Sequence, residues 1–128
     1  MATVELTQEN FEKTVNDNPM VIIDFWAEWC GPCKGFAPVY DKASEAHPDV
    51  VFAKVNTDEQ QDIAGAFGIR SIPTLMVFRE KVMLFQQAGA LPGNALEQVI
   101  AQAKALDMAK VHAETASQQT AQASSGHK

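Results

Sequence analysis

Met20-Val21-Ile22-Ile23-Asp24-Phe25-Trp26 is an almost unbroken apolar run, and it leads straight into Ala27-Glu28-Trp29-Cys30-Gly31-Pro32-Cys33-Lys34. A run of this length, apolar at successive positions rather than alternate ones, is the pattern of a central strand covered on both faces. A helix-like stretch follows, in which Phe36, Val39, Tyr40 and Ala43 recur at helical spacing. A chain that must bury one strand on two sides and then begin a helix within a few residues is confined to layered α/β architectures. Cys30 and Cys33 are the only cysteines. Their place between a strand and a helix separates a redox pair from a chance Cys-x-x-Cys.

The rest of the chain fits around that unit. Thr7 is expected to cap a helix over residues 8–16, with Phe11 and Val15 four apart on its buried face. Asn16-Asp17-Asn18-Pro19 reads as a turn. The helix after the cysteines is expected from about Cys30 to Ala46, and Pro38 within it should kink it rather than end it. His47-Pro48-Asp49 stops it. Val50 to Val55 reads as a second central strand. Asp58 is expected to open a helix reaching Phe67, closed by Gly68. Thr74 to Phe78 and Val82 to Gln87 read as strands joined by Arg79-Glu80-Lys81. That loop lacks the Gly or Asn that tight hairpins favour. Pro92 suits the first turn of a last helix, with Leu96, Val99, Ile100, Ala103 and Leu106 as its apolar stripe. The resulting order, βαβαβαββα, predicts an α/β fold: a mixed sheet of about five strands with helices on both faces.

At 128 residues with 46% hydrophobic side chains, the chain suits one domain with a single core. The expected boundary lies near Lys110: residues 1–110 form the domain and residues 111–128 a polar tail. Residues 113–128 carry no large apolar side chain. They cannot offset the entropy of ordering, so a frayed helix end and a disordered tail are expected. No stretch approaches the roughly 20 apolar residues of a membrane helix, and the N-terminus lacks the pattern of a signal peptide. These features lead to the expectation of a cytoplasmic protein. The ten Lys and Arg are scattered among sixteen Asp and Glu, which argues against nucleic acid as a partner.

Thiol–disulfide exchange proceeds by attack of a thiolate on a disulfide sulfur. A helix N-terminus stabilises such an anion with free backbone N–H groups and the positive end of its dipole. Cys30 occupies that position and is expected to be the exposed nucleophile. Cys33, one turn further in, is expected to be the more buried resolving thiol. Gly31 would permit the tight turn and Pro32 would stiffen it. Asp24 is the one charge in its apolar strand, which makes it a candidate base with a raised pKa. Lys54, in the second central strand, could pair with it if the strands are neighbours. Trp29, beside Cys30 in a loop, is read as a substrate contact, and Trp26 as packing at the edge of the site.

The segment from Val21 to Lys34, with Trp29-Cys30-Gly31-Pro32-Cys33-Lys34 at its end, resembles the active-site segment of the thioredoxin family. Phe67-Gly68-Ile69-Arg70-Ser71-Ile72-Pro73-Thr74 resembles the family's second active-site segment, and Gly89-Ala90 its third. The similarity spans about Val4 to Lys110. It implies the thioredoxin fold, a cis Ile72–Pro73 bond, and a shallow docking surface made by Trp29, Gly31, Pro32, Ile72, Pro73, Gly89 and Ala90. Substrate would pair there partly through strand-like backbone contacts. It further implies a protein disulfide reductase that acts on disulfide-containing proteins; a monomer is the default expectation. No bound cofactor is implied, since reducing equivalents would come from NADPH through a separate flavoprotein thioredoxin reductase.

Other readings of the same residues are weaker. A structural bridge spanning four residues constrains little of the unfolded chain. Zinc usually needs four ligands, and His47, His112 and His127 do not stand at ligand spacing, so no metal is expected. The resemblance, through the Gly-Pro dipeptide, and the expected cytosolic setting disfavour an oxidase or isomerase on the same fold. A binding subunit that uses the docking surface without turnover would keep its activity without its cysteines.

Overall fold

A computed structural model describes residues 3–115 of the chain. Their elements run β1 (Thr3–Glu5), α1 (Phe11–Asp17), β2 (Met20–Trp26), α2 (Gly31–Ala46), β3 (Val51–Asn56), α3 (Gln61–Ala66), β4 (Thr74–Arg79), β5 (Val82–Ala88) and α4 (Gly93–Ala105). The strands form one sheet in the order β1-β3-β2-β4-β5. The β1–β3 and β2–β3 pairs are parallel, and the β2–β4 and β4–β5 pairs are antiparallel. This is the mixed sheet expected from the order of elements.

Strand alternation divides the core in two. Met20 and Ile22 of β2 point to the face where Phe36, Tyr40 and Ala43 of α2 meet Leu96, Ile100 and Ala103 of α4. Val21, Ile23 and Phe25 point to the opposite face, against Val15 of α1 and Ile63 of α3. Both layers are apolar, so every residue of β2 before Trp26 is buried. Tyr40 brings a polar group into its layer. Its hydroxyl lies 2.9 Å from the Ile22 carbonyl and 2.7 Å from the Ala53 carbonyl, so the buried O–H has acceptors.

Helix starts differ from the sequence reading by a few residues. Thr7 does not cap α1. Its own N–H donates to Asn10 Oδ1 in a turn, and the helix begins at Phe11 with Asn10 as its N-cap residue. Asp58 does not cap α3, which begins at Gln61 after Gln60. Its N–H and that of Glu59 are instead held by Asn56 Oδ1, which leaves the Asp58 carboxylate free for the site described below. Pro92 is the N-cap residue of α4 rather than its first helical residue. Pro38 lies inside α2 without ending it.

The β4–β5 hairpin is tighter than expected. Its loop is Glu80-Lys81, and both residues have positive φ, 51° and 70°. That is the conformation for which a two-residue hairpin normally recruits Gly or Asn. Tertiary contacts enforce it here. The Glu80 N–H donates to the Pro19 carbonyl at 2.8 Å. The Arg79 guanidinium donates to the Ala103, Lys104 and Leu106 carbonyls at 2.9–3.0 Å, capping the C-terminus of α4. A register shift at Val77/Phe78 takes Leu84 out of the ladder. Met83, on the edge strand, is exposed, whereas Met76 is fully buried.

The chain leaves the helix at Leu106-Asp107 and is helical again over residues 108–115. Asp107 starts this segment: its Oδ1 accepts from the Lys110 N–H at 3.3 Å and its carbonyl from the Val111 N–H at 3.0 Å. Met108 is buried, and His112 Nε2 lies 2.8 Å from Glu80 Oε1. The boundary expected near Lys110 thus falls within a helical segment that leans on the hairpin. The tail expected to be disordered lies, beyond residue 115, outside the described residues.

Left-handed backbone costs a residue with a Cβ about 1–2 kcal/mol. Lys81→Gly is therefore expected to raise unfolding stability by roughly 0.5–1 kcal/mol, read as a higher urea midpoint at unchanged m-value. An unchanged or lower midpoint would show that the turn is not strained at Lys81.

Candidate functional site

The site forms where β2 ends and β4 begins. Their antiparallel register sets Phe25 opposite Thr74. The loop before β4 therefore lies beside the loop after β2. Cys30 is the N-cap residue of α2, and the Cys33 N–H donates to Cys30 Sγ at 3.2 Å. Pro32 occupies the first turn, where its missing N–H costs nothing. Cys30 and Cys33 are joined by a disulfide, with Cα atoms 5.2 Å apart.

The sulfur of Cys30 is less open than the sequence suggested. Cys30 is 4% exposed and Cys33 2%, so both are buried and the exposed Cys30 expected from sequence is not seen. Two contacts account for this. The disulfide draws Cys30 inward to pack with Ala27, Trp26 and Ile72, and its Sγ lies 3.6 Å from the Ile72 carbonyl oxygen. The Ile72–Pro73 bond is cis, as the resemblance implied. Pro73 is buried and Ile72 half-buried. The Gly89 N–H donates to the Pro73 carbonyl at 2.8 Å, and Gly89 has a φ of 104° that favours glycine. Cys30, Ile72, Pro73 and Gly89 are thereby linked contact by contact, with exposed Ala90 next in the chain.

Gly31 has a different role from the one its sequence position suggested. Its φ is not in the left-handed region, and a Cβ built there meets nothing within 4 Å. The turn does not require glycine. What glycine provides is an open surface above the disulfide, where Gly31 and Pro32 are both exposed.

Trp29 is 71% exposed. Its Nε1–H donates to Asp58 Oδ2 at 2.9 Å, and Asn56, paired with Trp26 across β2–β3, fixes the Asp58 backbone. Sequence reasoning missed Asp58 and Asn56 as parts of the site. Asp58 stands 29 residues from Trp29, and its position before a helix invites the capping reading.

Asp24 is fully buried, and neither carboxylate oxygen has a hydrogen-bond partner. It lies on the β2 face that carries Met20 and Ile22, beneath α2. Tyr40 of α2 reaches the Ile22 carbonyl on this side of the sheet, and the charges of Asp24 and of Asp41 in α2 act on one another. Burial pushes its pKa up to about 7; Lys54 lowers it and Asp41 raises it. Lys54 is the direct register partner of Asp24. The two do not form the hydrogen-bonded pair anticipated from sequence, since the Lys54 ammonium lies 4.6 Å above the Trp26 ring centroid. Lys54 acts on Asp24 through its field. The buried Trp26 Nε1–H, on the same face, also lacks a partner.

No group of three or more His, Cys, Asp or Glu side chains suited to a metal ion occurs among the described residues. No described helix is long and apolar enough to cross a membrane. A disulfide at a helix N-terminus, set against a cis-proline loop, defines a thiol–disulfide oxidoreductase site.

The family model described as Thioredoxin matches residues 2–102, and the chain belongs to the thioredoxin family. It is 63% identical over 118 residues to the "Putative thioredoxin 2" of Streptomyces coelicolor, covering 92% of this chain and 88% of that one. It is 44% identical over 101 residues to the thioredoxin of Alicyclobacillus acidocaldarius, covering 78% and 96%. Among solved structures, oxidized mitochondrial thioredoxin 3 of Saccharomyces cerevisiae matches with TM-score 0.73 at 35% identity, covering 78% of this chain and 94% of that one. Plasmodium falciparum thioredoxin matches with TM-score 0.73 at 37% identity, covering 77% and 97%. The protein is a thioredoxin-type disulfide reductase whose substrates are disulfide-containing proteins.

The buried carboxyl also governs stability. Between its ordinary value of 3.8 and about 7, the folded state keeps a proton that the unfolded chain releases. Stability contributed by this group is therefore fully present at low pH and lost as pH rises through about 7. The total is roughly 4 kcal/mol. Asp24→Asn should stabilise the protein by about that amount at pH 8–9 and by much less at pH 4, measured by denaturant unfolding. A gain independent of pH would contradict this origin.

Proposed function

We propose that Cys30 is the attacking thiol, that Cys33 resolves the mixed disulfide, and that Asp24 is the base for Cys33. The observation that carries the first assignment is the Cys33 N–H directed at Cys30 Sγ from the start of α2, where the helix dipole also favours an anion. The Cys30 thiolate attacks a substrate disulfide. The substrate S–S bond breaks, a Cys30–substrate disulfide forms, and one substrate sulfur leaves and takes a proton. Cys33 then passes its proton to the Asp24 carboxylate and attacks Cys30 Sγ. The Cys30–Cys33 disulfide forms, and the second substrate sulfur leaves as a thiol. The protein has lost two electrons and the substrate has gained them.

Trp29, Gly31, Pro32, Ile72, Pro73, Gly89 and Ala90 supply the docking surface. Support for this comes from the open surface over Gly31 and from the contacts linking Ile72, Pro73 and Gly89 to Cys30. A substrate strand would lie along the backbone before Pro73. The regenerating partner we assign is a flavoprotein reductase drawing on NADPH, with electron donation to reductive enzymes in the cytoplasm as the setting and a monomer as the working form.

Cys33→Ser should accumulate a covalent adduct between Cys30 and a disulfide-bonded protein, detectable by mass and released by dithiothreitol. Cys30→Ser should form none. An adduct through Cys33 in the Cys30→Ser protein would reverse the two roles.

Asp24 accepts a proton only when ionised, so turnover of the wild type should rise as pH passes through about 7. Asp24→Asn should turn over about 10²-fold more slowly above that pH and lose the inflection. A retained inflection in single-turnover kinetics would remove Asp24 from the mechanism.

A further inference from the structure

Glu5, Lys54 and Asp24 form one row across three strands. Glu5 of β1 is the register partner of Lys54 in β3, and Lys54 is the register partner of Asp24 in β2. Register partners in parallel strands project from the same face, so one cation stands between two carboxylates. Adjacent strands lie about 4.8 Å apart, which puts the two acidic backbones about 10 Å apart with Lys54 between them. Asp24 is wholly buried, while Glu5 sits on the exposed edge strand.

We propose that Glu5 is a positioning residue for the buried carboxylate: it competes with Asp24 for the charge of Lys54 and so holds back the support that Lys54 gives to ionised Asp24. The proposal rests on the reading of Asp24 as the base for its catalytic consequence, but not for the coupling itself.

The Lys54 ammonium makes no hydrogen bond to Asp24 and rests on Trp26. Nothing fixes it to one carboxylate, so its field is divided by where it sits in the row. The charged groups around the row are few. Glu5 faces Lys54 from β1 and Asp24 faces it from β2. Glu59, before α3, bears on Glu5, and Asp41 of α2 bears on Asp24. The Glu5 carboxyl is raised from its ordinary value by partial desolvation; Lys54 lowers it and Glu59 raises it. Lys54 thus acts on both carboxyls, and neutralising Glu5 should let the unfixed ammonium settle nearer Asp24. Direct action of Glu5 on Asp24 is weaker, since about 10 Å is a full Debye length at 0.1 M salt.

The test is the titration of the Asp24 side-chain carboxyl, followed by ¹³C NMR in the oxidised protein. It compares wild type, Glu5→Gln, Lys54→Met and the double variant, with Glu5→Asp as the charge-conserving control. Glu5→Gln should lower the Asp24 midpoint by a few tenths of a pH unit. Most of that change should vanish in the Lys54→Met background, and Glu5→Asp should stay near wild type. An unmoved midpoint in Glu5→Gln, or an equal drop with and without Lys54, overturns the proposal. If the midpoints move as expected while the turnover inflection stays in place, Asp24 is not the base, but the Glu5–Lys54–Asp24 coupling stands.

Discussion

Strand β2 is paired on both edges and covered on both faces, and the placement of the other parts follows from how its seven residues are used. Its odd-numbered side chains seal one layer against α1 and α3. Its even-numbered ones meet α2 and α4. The parallel neighbour β3 supplies Lys54 and Asn56 on one side. The antiparallel neighbour β4 starts where β2 ends. That single reversal of direction brings Ile72 and Pro73 beside Cys30. A parallel strand in that place would begin at the far end of the sheet and leave the disulfide without a docking loop.

The same strand carries the main local conflict with stability. Burying a carboxylate without a hydrogen bond is costly, and the group responds by keeping its proton to about pH 7. An apolar residue at position 24 would continue the pattern of Ile22 and pack under α2. That a carboxyl stands there instead, with no partner for either oxygen, is hard to explain by packing. It fits the proposed role of a group that takes and releases a proton in a dry place. Local rules of stability tend to be broken at functional sites.

Much of this was legible in the sequence because the signals were strong and local. The apolar run of β2, the helical spacing of Phe36, Tyr40 and Ala43, and the direct succession of two strands after Pro73 fix the order of elements and the mixed sheet. The cysteine pair announced its own chemistry. What could not be read depends on distant partners. The bond from Trp29 to Asp58 joins residues 29 positions apart. The Glu80-Lys81 turn contradicts local preference and is held by Pro19, α4 and His112. The seat of Lys54 on Trp26, rather than on Asp24, is settled by side-chain packing that no periodicity encodes. The role of Gly31 was misread for a similar reason: whether a glycine is needed depends on φ and on its surroundings.

Two thiols three residues apart would behave alike in an extended chain, and the helix makes them unlike. Cys30, as the N-cap residue, receives a backbone N–H and faces the cis-proline loop. It can therefore carry negative charge without help from a side chain. Cys33 lies inside the first turn, on the same side of α2 as Phe36 and Tyr40, and so turns toward the sheet and the layer that holds Asp24. The start of the helix thus gives the two sulfurs different surroundings, and on the proposed mechanism the N-terminal dipole would serve Cys30 and the buried carboxyl Cys33. The order of attack is in that sense a property of where an α-helix begins. Moving the pair one residue along the chain would expose both sulfurs to a different set of neighbours and remove the asymmetry on which a two-step exchange depends.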